Sequence, residues 1–457
     1  MKNLHASRHF AFGLMLLAIV SMAMVACVAP AAPAPAPAEK PAAAEPSAEE
    51  PVTEEAVTIE WWTVSSEEYS EEAQQGMIDQ FEAEHPNIKV DMTILPDSAF
   101  SEKMTTALGA GEGVPDVAFF WDNNWFPEAL ELTPFIEADP DFSTDIYFPG
   151  FFKTRATWGD KIVGLPLGVG ANFVMYNKDV FDEAGVAYPS EDWTPDDFIE
   201  IATQLTDTDV KRWGGDRPRG PYRAVYFNYG ARPYSDDSTT VEGYLNGPES
   251  LAAYTWLWDL INSGSTPTPA DIEVLGTEGT GPVDLFLAGR LAMATLNQGH
   301  MLNAVEADAN FGIVPEPFLA DKESYVHGWA LTSSIWKDTE HPDEAWQFLS
   351  YWVGPEGQKY LMENGNLFPS IPSVLEQYEH ADEEYAQAFF KVLEQEQDAE
   401  WLMEHPCYRG AVQRAVGDVW DKIMFGTMER DQIQAELDAL VPAAQQALDD
   451  CVPRLGG

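Results

Sequence analysis

Cysteine, histidine and basic residues are all scarce in this chain. Its 457 residues include three cysteines and eight histidines, and 25 lysines and arginines stand against 76 aspartates and glutamates, which gives a formal charge of −51. A surface this acidic repels a phosphate backbone and argues against nucleic acid as a partner. The sequence also lacks a His-Glu-x-x-His run, a Gly-x-Ser-x-Gly elbow and a Walker loop. We therefore expect no metal, no cofactor and no catalytic residue.

Apolar and aromatic residues, in contrast, are abundant. Hydrophobic residues make up 45% of the chain, which contains 24 Phe, 16 Tyr and 15 Trp. Side chains of this kind can fill substantial cores, so the composition excludes a globally disordered chain. A length of 457 residues exceeds that of one compact domain and suits two or three.

The first 26 residues have the features of a secretory signal. Two basic residues, Lys2 and Arg8, precede an apolar run from 10 to 25, and Cys27 follows a small residue. This order predicts a signal peptide over 1–26. A cysteine directly after small residues resembles the bacterial lipobox, which predicts a lipid on Cys27 and a protein anchored outside the cytoplasm to the cell membrane. The alternative is ordinary cleavage nearby, with Cys27 as a free thiol.

Residues 27–56 are rich in alanine, proline and glutamate and show no apolar periodicity. Proline-rich chain is extended, at roughly 3.1 Å per residue, so this linker could hold a folded part up to roughly 90 Å from its anchor. We expect a stalk here, with the folded part beginning near Val57.

Two further cysteines, Cys407 and Cys451, lie in the C-terminal region. Outside the cytoplasm, two thiols in one region are expected to form a disulfide. The alternative is a pair of buried free thiols.

The first part of the folded chain alternates strand and helix patterns. Residues 57–63 read as a buried strand, and Ser65 with Glu68 has the pattern of a capping box for a helix that ends near Glu84. A strand, a helix and a third strand are predicted at 88–95, 99–108 and 116–121. The order β-α-β-α-β predicts a parallel sheet with right-handed crossovers.

A second α/β set follows. A strand is predicted at 172–176, and Thr194 to Asp197 has the features of a helix start, with a capping threonine, Pro195 at the first position and acids in the first turn. Further predicted elements are a helix at 250–262, strands at 291–296, 310–314 and 328–334, and a helix at 342–353. Beyond Ser373 only helices are expected.

Polar and aromatic side chains follow the three strands of the first set, where open α/β sheets bind ligands. Aromatic rings stack on the C–H face of a sugar, and carboxylates and amides bond its hydroxyls. The candidate ligand-binding residues are Trp61, Trp62, Asp97, Phe100, Trp121, Asp122 and Asn123. Because side chains alternate along a strand, only one of Trp61 and Trp62 is expected to point outward.

A basic stretch runs from residue 211 to residue 232. It contains Lys211, Arg212, Arg217, Arg219, Arg223 and Arg232. One interpretation is a site for an anionic ligand, such as an acidic or phosphorylated sugar. The other is an exposed loop whose charges offset neighbouring acids.

Several short motifs, in order along the chain, resemble one family. They are Pro115-Asp116-Val117, Phe173-Val174-Met175-Tyr176-Asn177-Lys178, Trp193-Thr194-Pro195-Asp196-Asp197-Phe198, Ala288-Gly289-Arg290-Leu291-Ala292-Met293, Ala345-Trp346-Gln347-Phe348-Leu349 and Pro369-Ser370. Together they resemble the extracellular solute-binding proteins of ABC importers, in the sugar-binding family that includes maltose-binding protein. The likeness runs from about Val57 to Ser373 and, more weakly, to the end.

The resemblance implies an α/β fold of two lobes, each a mostly parallel sheet flanked by helices, hinged around a central cleft. Three chain crossings would join the lobes, near 167–170, near Gly328 and near 367–372. The implied segments are 1–26 as signal, 27–56 as linker, 57–167 plus 328–368 as the N-terminal lobe, and 168–327 plus 369–457 as the C-terminal lobe.

By family position, the resemblance also implies ligand-facing residues in the second lobe. They are Asn172, Asn228, Tyr229, Gln298 and Arg409, with Trp329 near a crossing. The loop at 297–300 lacks an aromatic ring that is often present there in the family. Stacking of a disaccharide by this loop is therefore in question.

The implied function is capture of a solute, foremost a carbohydrate, and its delivery to the transmembrane subunits of an ABC permease. The protein is expected to be a monomer and not an enzyme. The alternative is a lipid-anchored polysaccharide-active enzyme, for which Asp97 and Asp122 are the candidate carboxylates. A sensory surface protein is a third hypothesis, which the sequence does not separate from the first. The particular sugar and its charge stay open.

Overall fold

The computed structural model describes residues 56–65, 70–121, 123–158, 160–217, 224–235, 237, 239–274, 281–322, 324–395 and 413–451. All of them belong to one compact unit. Within this part of the chain, no helix is both long enough and apolar enough to cross a membrane.

The first elements form the predicted β-α-β-α-β unit. They are β1 (Val57–Thr63), α1 (Glu71–Glu84), β2 (Ile88–Ile94), α2 (Asp97–Ala110) and β3 (Val117–Phe119). β1 pairs in parallel with β2 on one side and with β3 on the other. The prediction of a parallel sheet is therefore confirmed for these three strands.

The first helix begins later than the sequence pattern indicated. The capping residue of α1 is Ser70, whose Oγ accepts a hydrogen bond from the Ala73 backbone N–H at 3.2 Å. The expectation of a start at Ser65 with Glu68 was wrong, because the buried face begins only at Ala73 and continues through Met77. A capping-box pattern without an apolar face behind it does not fix a helix start.

The middle of the chain contains one long strand and several short helices. The elements are α3 (Thr133–Ala138), α4 (Pro149–Ala156), β4 (Thr157–Trp158), β5 (Lys161–Ile162), β6 (Leu165–Asn177), α5 (Lys178–Ala184), α6 (Pro195–Leu205), α7 (Ala224–Asn228), α8 (Pro248–Asn262), α9 (Pro269–Val274) and α10 (Pro282–Leu287). The predicted start of α6 is confirmed: Thr194 and Asp197 form a reciprocal capping box, with Pro195 in the first turn.

The remaining elements complete the sheet and then continue as helices. They are β7 (Met293–Asn297), α11 (Gln298–Glu306), β8 (Phe311–Val314), β9 (Gly328–Ile335), α12 (Pro342–Trp352), α13 (Pro355–Asn364), α14 (Pro372–Leu375), α15 (Glu384–Gln395), α16 (Gln413–Met424) and α17 (Ile433–Cys451). Among the described residues beyond Ser373 every regular element is helical, as predicted.

The strand β6 links the two halves of the sheet. Its first part pairs antiparallel with β9, and its second part pairs antiparallel with both β7 and β8. β7 and β8 therefore run in the same direction on either side of β6, joined through α11. In the first half, β1, β2 and β3 are parallel, and β9 is antiparallel to β3. In the second half, β7 and β8 are parallel to each other, and β6 is antiparallel to both. The predicted strand at 172–176 is only the second part of this longer strand.

Three clusters of buried side chains form the cores. The first core packs β1–β3 against α1, α2, α12 and α13 and includes Trp61 and Trp352. The second core, around α6, α8, α16 and α17, and the third core, around β7, β8 and α15, lie on the β6 side. The division into two α/β lobes agrees with the fold implied by the sequence. The helix α4 and the residue that caps its start contribute Phe151 and Phe148 to the third core, although both precede β6 in the chain.

Candidate functional site

The three predicted crossing segments lie side by side. Residues 165–171 of β6 pair with β9, so that Gly170 faces Trp329. On the other side, Gly168 forms a bridge with Pro369, and the Val169 backbone N–H donates to the Phe368 carbonyl at 2.8 Å. The three segments that the sequence predicts as crossings therefore meet at one place.

Two glycines allow this close approach. A Cβ on Gly168 would lie 2.3 Å from Leu367 Cδ1, and a Cβ on Gly170 would lie 2.4 Å from Gln298 Nε2 and 2.5 Å from two ring carbons of Trp329. Distances below 3.0 Å are essentially never seen for a real Cβ, so any side chain here would push these groups apart. The absence of a side chain lets Leu367 approach the crossing strand at Gly168 and lets Gln298 and Trp329 approach it at Gly170.

A cavity of about 300 Å³, part of which is open solvent, lies at this junction. Its walls include Gln298, Trp329, Leu331 and Asn366. Gln298 is only 3% exposed, and its Oε1 accepts a hydrogen bond from the Ala171 backbone N–H at 3.3 Å, which orients the carboxamide. A half-buried indole beside two amides offers an apolar face together with directional hydrogen-bonding groups.

A polar pair lies beside the cavity. The Asn172 side-chain amide donates to His327 Nδ1 at 2.8 Å, and the Asn172 backbone N–H donates to the His327 carbonyl at 2.9 Å. The His327 and Trp329 ring centres are 6.2 Å apart. The structure therefore brings three predicted residues, Asn172, Gln298 and Trp329, to one region. His327 and Asn366 were not predicted, since nothing in the local sequence marks them.

Two of the predicted aromatic residues are fully buried in the first core. Trp61 is fully buried, with ring centres 5.2 Å from Phe348 and 4.4 Å from Trp352 in edge-to-face contacts. Phe100 is also fully buried and lies 4.6 Å from Trp121. Neither ring presents a surface to a solute, which corrects the expectation for both. For Phe100 the cause is the apolar stripe of α2, which continues through Met104.

The other two predicted tryptophans lie at the carboxyl ends of β1 and β3. Trp62 is 7% exposed, and Lys103 Nζ lies 3.7 Å from its ring centre in a cation–π contact. Trp121 is half-buried, and its Nε1 donates to Ser101 Oγ at 3.2 Å. As expected from alternation, Trp61 and Trp62 point to opposite faces, but Lys103 covers Trp62. Of the predicted aromatic residues in this half, Trp121 keeps the most accessible ring.

Asn228 holds a loop in place, and its neighbour Tyr229 is buried. Asn228 is fully buried: its Nδ2 donates to the Pro317 carbonyl at 3.0 Å, and its Oδ1 accepts from the Tyr325 backbone N–H at 2.6 Å. Tyr229 is 9% exposed, and burial raises the pKa of its hydroxyl. The side chain of Asn228 is thus committed to the 317–325 loop, which corrects the expectation that it faces the ligand.

Several predicted residues lie outside what the structure describes. The side chains of Asp97, Asn123 and Cys451, and all of Cys27, Asp122, Cys407 and Arg409, are in this group. Their predicted roles stay predictions.

Three members of the basic stretch brace the fold. Arg212 forms an ion pair with Glu183 at 2.9 Å, Arg217 donates to the Pro267 carbonyl at 3.4 Å and to the Met424 carbonyl, and Arg232 donates to the Tyr325 hydroxyl at 3.1 Å. These contacts favour the structural interpretation for those three arginines. Arg219 and Arg223 lie outside the described residues.

A second cavity, of about 550 Å³ including open solvent, lies against the second core. Most of its walls are packed core side chains, including Phe198 and Trp256, and two buried carboxylates, Asp216 and Glu316, also border it. Its walls share no residue with those of the cavity at the junction. We therefore take the junction, rather than this larger space, as the candidate site. Among the described residues, no group of three or more His, Cys, Asp or Glu side chains could hold a metal.

Comparison with known proteins identifies the family. The family model described as bacterial extracellular solute-binding protein matches residues 64–359. The chain belongs to this family. The match begins just after β1 and ends within α13, so it includes the junction up to β9.

Relatives of this solute-binding protein are distant in sequence. An erythritol/L-threitol-binding protein of Mycolicibacterium smegmatis is 23% identical over 325 residues, which cover 65% of this chain and 66% of the relative, just under two thirds of its length. An ABC substrate-binding protein of Listeria monocytogenes, solved in complex with cycloalternan, has a TM-score of 0.68 at 23% identity, covering 84% of this chain and 98% of that one. The sugar-binding protein MalE of Xanthomonas citri has a TM-score of 0.71 at 21% identity, covering 86% and 98%. The solved structures establish the two-lobed fold.

Proposed function

We propose that this protein captures a carbohydrate or polyol in the cleft between its lobes and delivers it to an ABC permease. The observation that carries the proposal is the cavity at the crossing segments, where Trp329, Gln298 and Asn366 meet. An indole face packs against the C–H groups of a sugar ring, and two amides bond its hydroxyls. Relatives that are known as binding proteins for erythritol and for melibiose and raffinose, and the related structure in complex with cycloalternan, support this class of solute.

Closure of the lobes would complete the site. Trp121 lies at the carboxyl end of β3 in the first half, and Trp329 lies on β9 at the junction, so rotation about the crossing segments would bring the two indoles toward one solute. A ligand stabilises the closed state only by the contacts that it gains there. Micromolar affinity, about −8 kcal/mol, is enough for capture.

The segment boundaries and the anchor belong to the same proposal. The lobes would comprise 57–167 plus 328–368 and 168–327 plus 369–457, and a lipid on Cys27 would hold a monomer at the outer side of the cell membrane. The position of Cys27 after a signal-like segment supports the anchor. Partition of the expressed protein into detergent, lost in the variant Cys27→Ser, tests it.

A ligand screen tests the central claim. Thermal unfolding of the protein would be followed with erythritol, raffinose, maltose, an acidic sugar and an amino acid. A ligand at a hundredfold excess over its Kd adds about 2.7 kcal/mol to the free energy of unfolding. We expect a shift with at least one neutral sugar or polyol, strongly reduced in Trp329→Ala.

The control is Trp336→Ala, which removes an indole of similar burial just beyond the other end of β9, packed against the first core. This variant should keep the ligand-induced shift. Equal loss of the shift in both variants would contradict the assignment of the cavity, and a shift only with the amino acid would contradict the carbohydrate class.

The enzyme alternative has a separate test. Hydrolysis would require two carboxyl groups facing a glycosidic bond, and the candidates Asp97 and Asp122 lie in the part whose side chains are not described. Prolonged incubation with the sugars that bind, followed by chromatography, should return them unchanged. Formation of product that is lost in Asp122→Asn would establish the enzyme instead.

A further inference from the structure

A buried polar cluster joins α13 to the first and third crossing segments. It consists of Gln358 on α13 and Ser370 on the third crossing segment, both fully buried. The Ser370 backbone N–H donates to Gln358 Oε1 at 2.7 Å, and the Ser370 hydroxyl donates to the Pro166 carbonyl at 2.7 Å. We call Gln358 and Ser370 the crossing clamp.

Every side-chain polar atom of the clamp has at least one hydrogen-bond partner. Gln358 Nε2 lies 2.6 Å from the Val353 carbonyl, 2.9 Å from Ser370 Oγ and 3.1 Å from the Pro166 carbonyl. A carboxamide has two donors, and a hydroxyl has one donor and two acceptor positions, so these contacts satisfy every polar group of the two side chains. Fully satisfied buried networks are rigid, because any displacement leaves a buried group without a partner.

The clamp holds the one irregular point of the crossing strand. The pairing of β6 with β9 shifts register between Pro166 and Val169. Such a bulge leaves the ladder interrupted and lets a strand bend locally. The carbonyl of Pro166, at the start of the irregular stretch, is the group that both Gln358 and Ser370 bind. Gly168, within the stretch, forms the bridge to Pro369.

We infer that Gln358 and Ser370 are positioning residues that fix the axis of lobe closure at the Pro166–Val169 bulge. They tie the first and third crossing segments to α13 of the first lobe. Bending is therefore confined to the bulge residues after Pro166. This inference rests on the proposed function in that closure serves capture of a solute. Its consequence is that the clamp limits the range of lobe orientations in the free protein.

The experiment compares two serine-to-alanine variants. Ser370→Ala removes a clamp hydroxyl, whereas Ser250→Ala removes an equally buried hydroxyl that bonds Tyr226 and the Tyr244 carbonyl within the second lobe. Spin labels would be attached to unnatural amino acids introduced at the exposed positions Glu137 and Glu242. Pulsed electron paramagnetic resonance would then measure the distance between the two lobes. In the unliganded full chain, we expect Ser370→Ala to widen the distance distribution at least 1.5-fold and Ser250→Ala to leave it unchanged.

Other outcomes distinguish the inference about the crossing clamp from the proposed capture of a sugar. Unchanged width in Ser370→Ala, or equal widening in both variants, overturns the inference, whether or not any sugar binds. If raffinose or erythritol binds, Ser370→Ala should also raise its Kd at least threefold and Ser250→Ala less than twofold. Should Ser370→Ala fail to fold, Gln358→Met, which keeps the side-chain volume, takes its place in the comparison.

The unmodified protein supplies a readout without variants. The amides of Val169 and Ser370 should exchange with deuterium as slowly as those of β1, because both are bonded within the clamped junction. Exchange as fast as that of exposed loops would overturn the inference.

Discussion

Substitution of Gly170 by alanine tests the link between the close packing of the junction and ligand capture. The backbone of Gly170 is not in the left-handed region, so alanine causes no strain of its own there. Its Cβ would lie 2.5 Å from the Trp329 ring and 2.4 Å from Gln298 Nε2. The ring must retreat by about 0.9 Å to reach ordinary contact at 3.4 Å, and the carboxamide must move by a similar amount.

The energetic cost follows from this displacement. Overpacking by one methyl group typically costs about 1–3 kcal/mol of stability. The same shift moves the indole and the amide away from the positions that a sugar would contact, and a loss of about 1.4 kcal/mol in binding corresponds to a tenfold increase in Kd. We expect Gly170→Ala to lower the free energy of unfolding by about 1–3 kcal/mol and to weaken sugar binding by about tenfold.

The assay combines urea unfolding with calorimetric titration of the sugar found in the screen. The control is Gly109→Ala in α2, where a Cβ would meet nothing within 4 Å. Because alanine is favoured over glycine inside a helix, this change should raise stability by about 0.5–1 kcal/mol and leave Kd unchanged. Normal affinity in Gly170→Ala would refute the placement of the solute against Trp329 and Gln298.

Three further predictions concern the cores and the C-terminal region. Trp61→Ala should lower the free energy of unfolding by about 3–5 kcal/mol in urea titrations, as expected for a fully buried aromatic side chain; a cost below about 1 kcal/mol would contradict its core position. Burial raises the pKa of Tyr147 and Tyr226 above the usual value of 10.0. Because the unfolded tyrosines ionise near pH 10 and the folded ones do not, stability is intact below pH 10 and should fall above it by about 1.4 kcal/mol per pH unit for each; pH-independent stability from pH 10 to 12 would argue against burial of these hydroxyls. Peptide mapping without reduction should recover Cys407 joined to Cys451, and free thiols at both positions would favour the alternative.

Local patterns predicted the elements whose signals lie within a few residues. The capping box from Thr194 to Asp197 combines a side-chain acceptor, a proline and first-turn acids, and the structure contains it. The alternation of Trp61 and Trp62 also follows from strand geometry alone. The order of strands and helices in the first half was predictable for the same reason, since each element carries its own apolar period.

Long-range pairing could not be predicted in the same way. The full extent of β6 depends on partners at β7, β8 and β9, which lie more than a hundred residues further along the chain. The contribution of His327 and Asn366 to the site depends on the same pairings. Asn228 has the residue type of a sugar ligand, but its hydrogen bonds go to the 317–325 loop, a partner that no local pattern reveals.

The continuity of β6 has a mechanical consequence. This strand has 13 residues and spans about 43 Å, with one part in the ladder with β9 and the other in the ladder with β7 and β8. Stretching the molecule along this strand would load covalent bonds and whole rows of hydrogen bonds at once, whereas bending it at the bulge disturbs only the interrupted part of one ladder. The protein is therefore stiff under tension along β6 and compliant under rotation at the bulge.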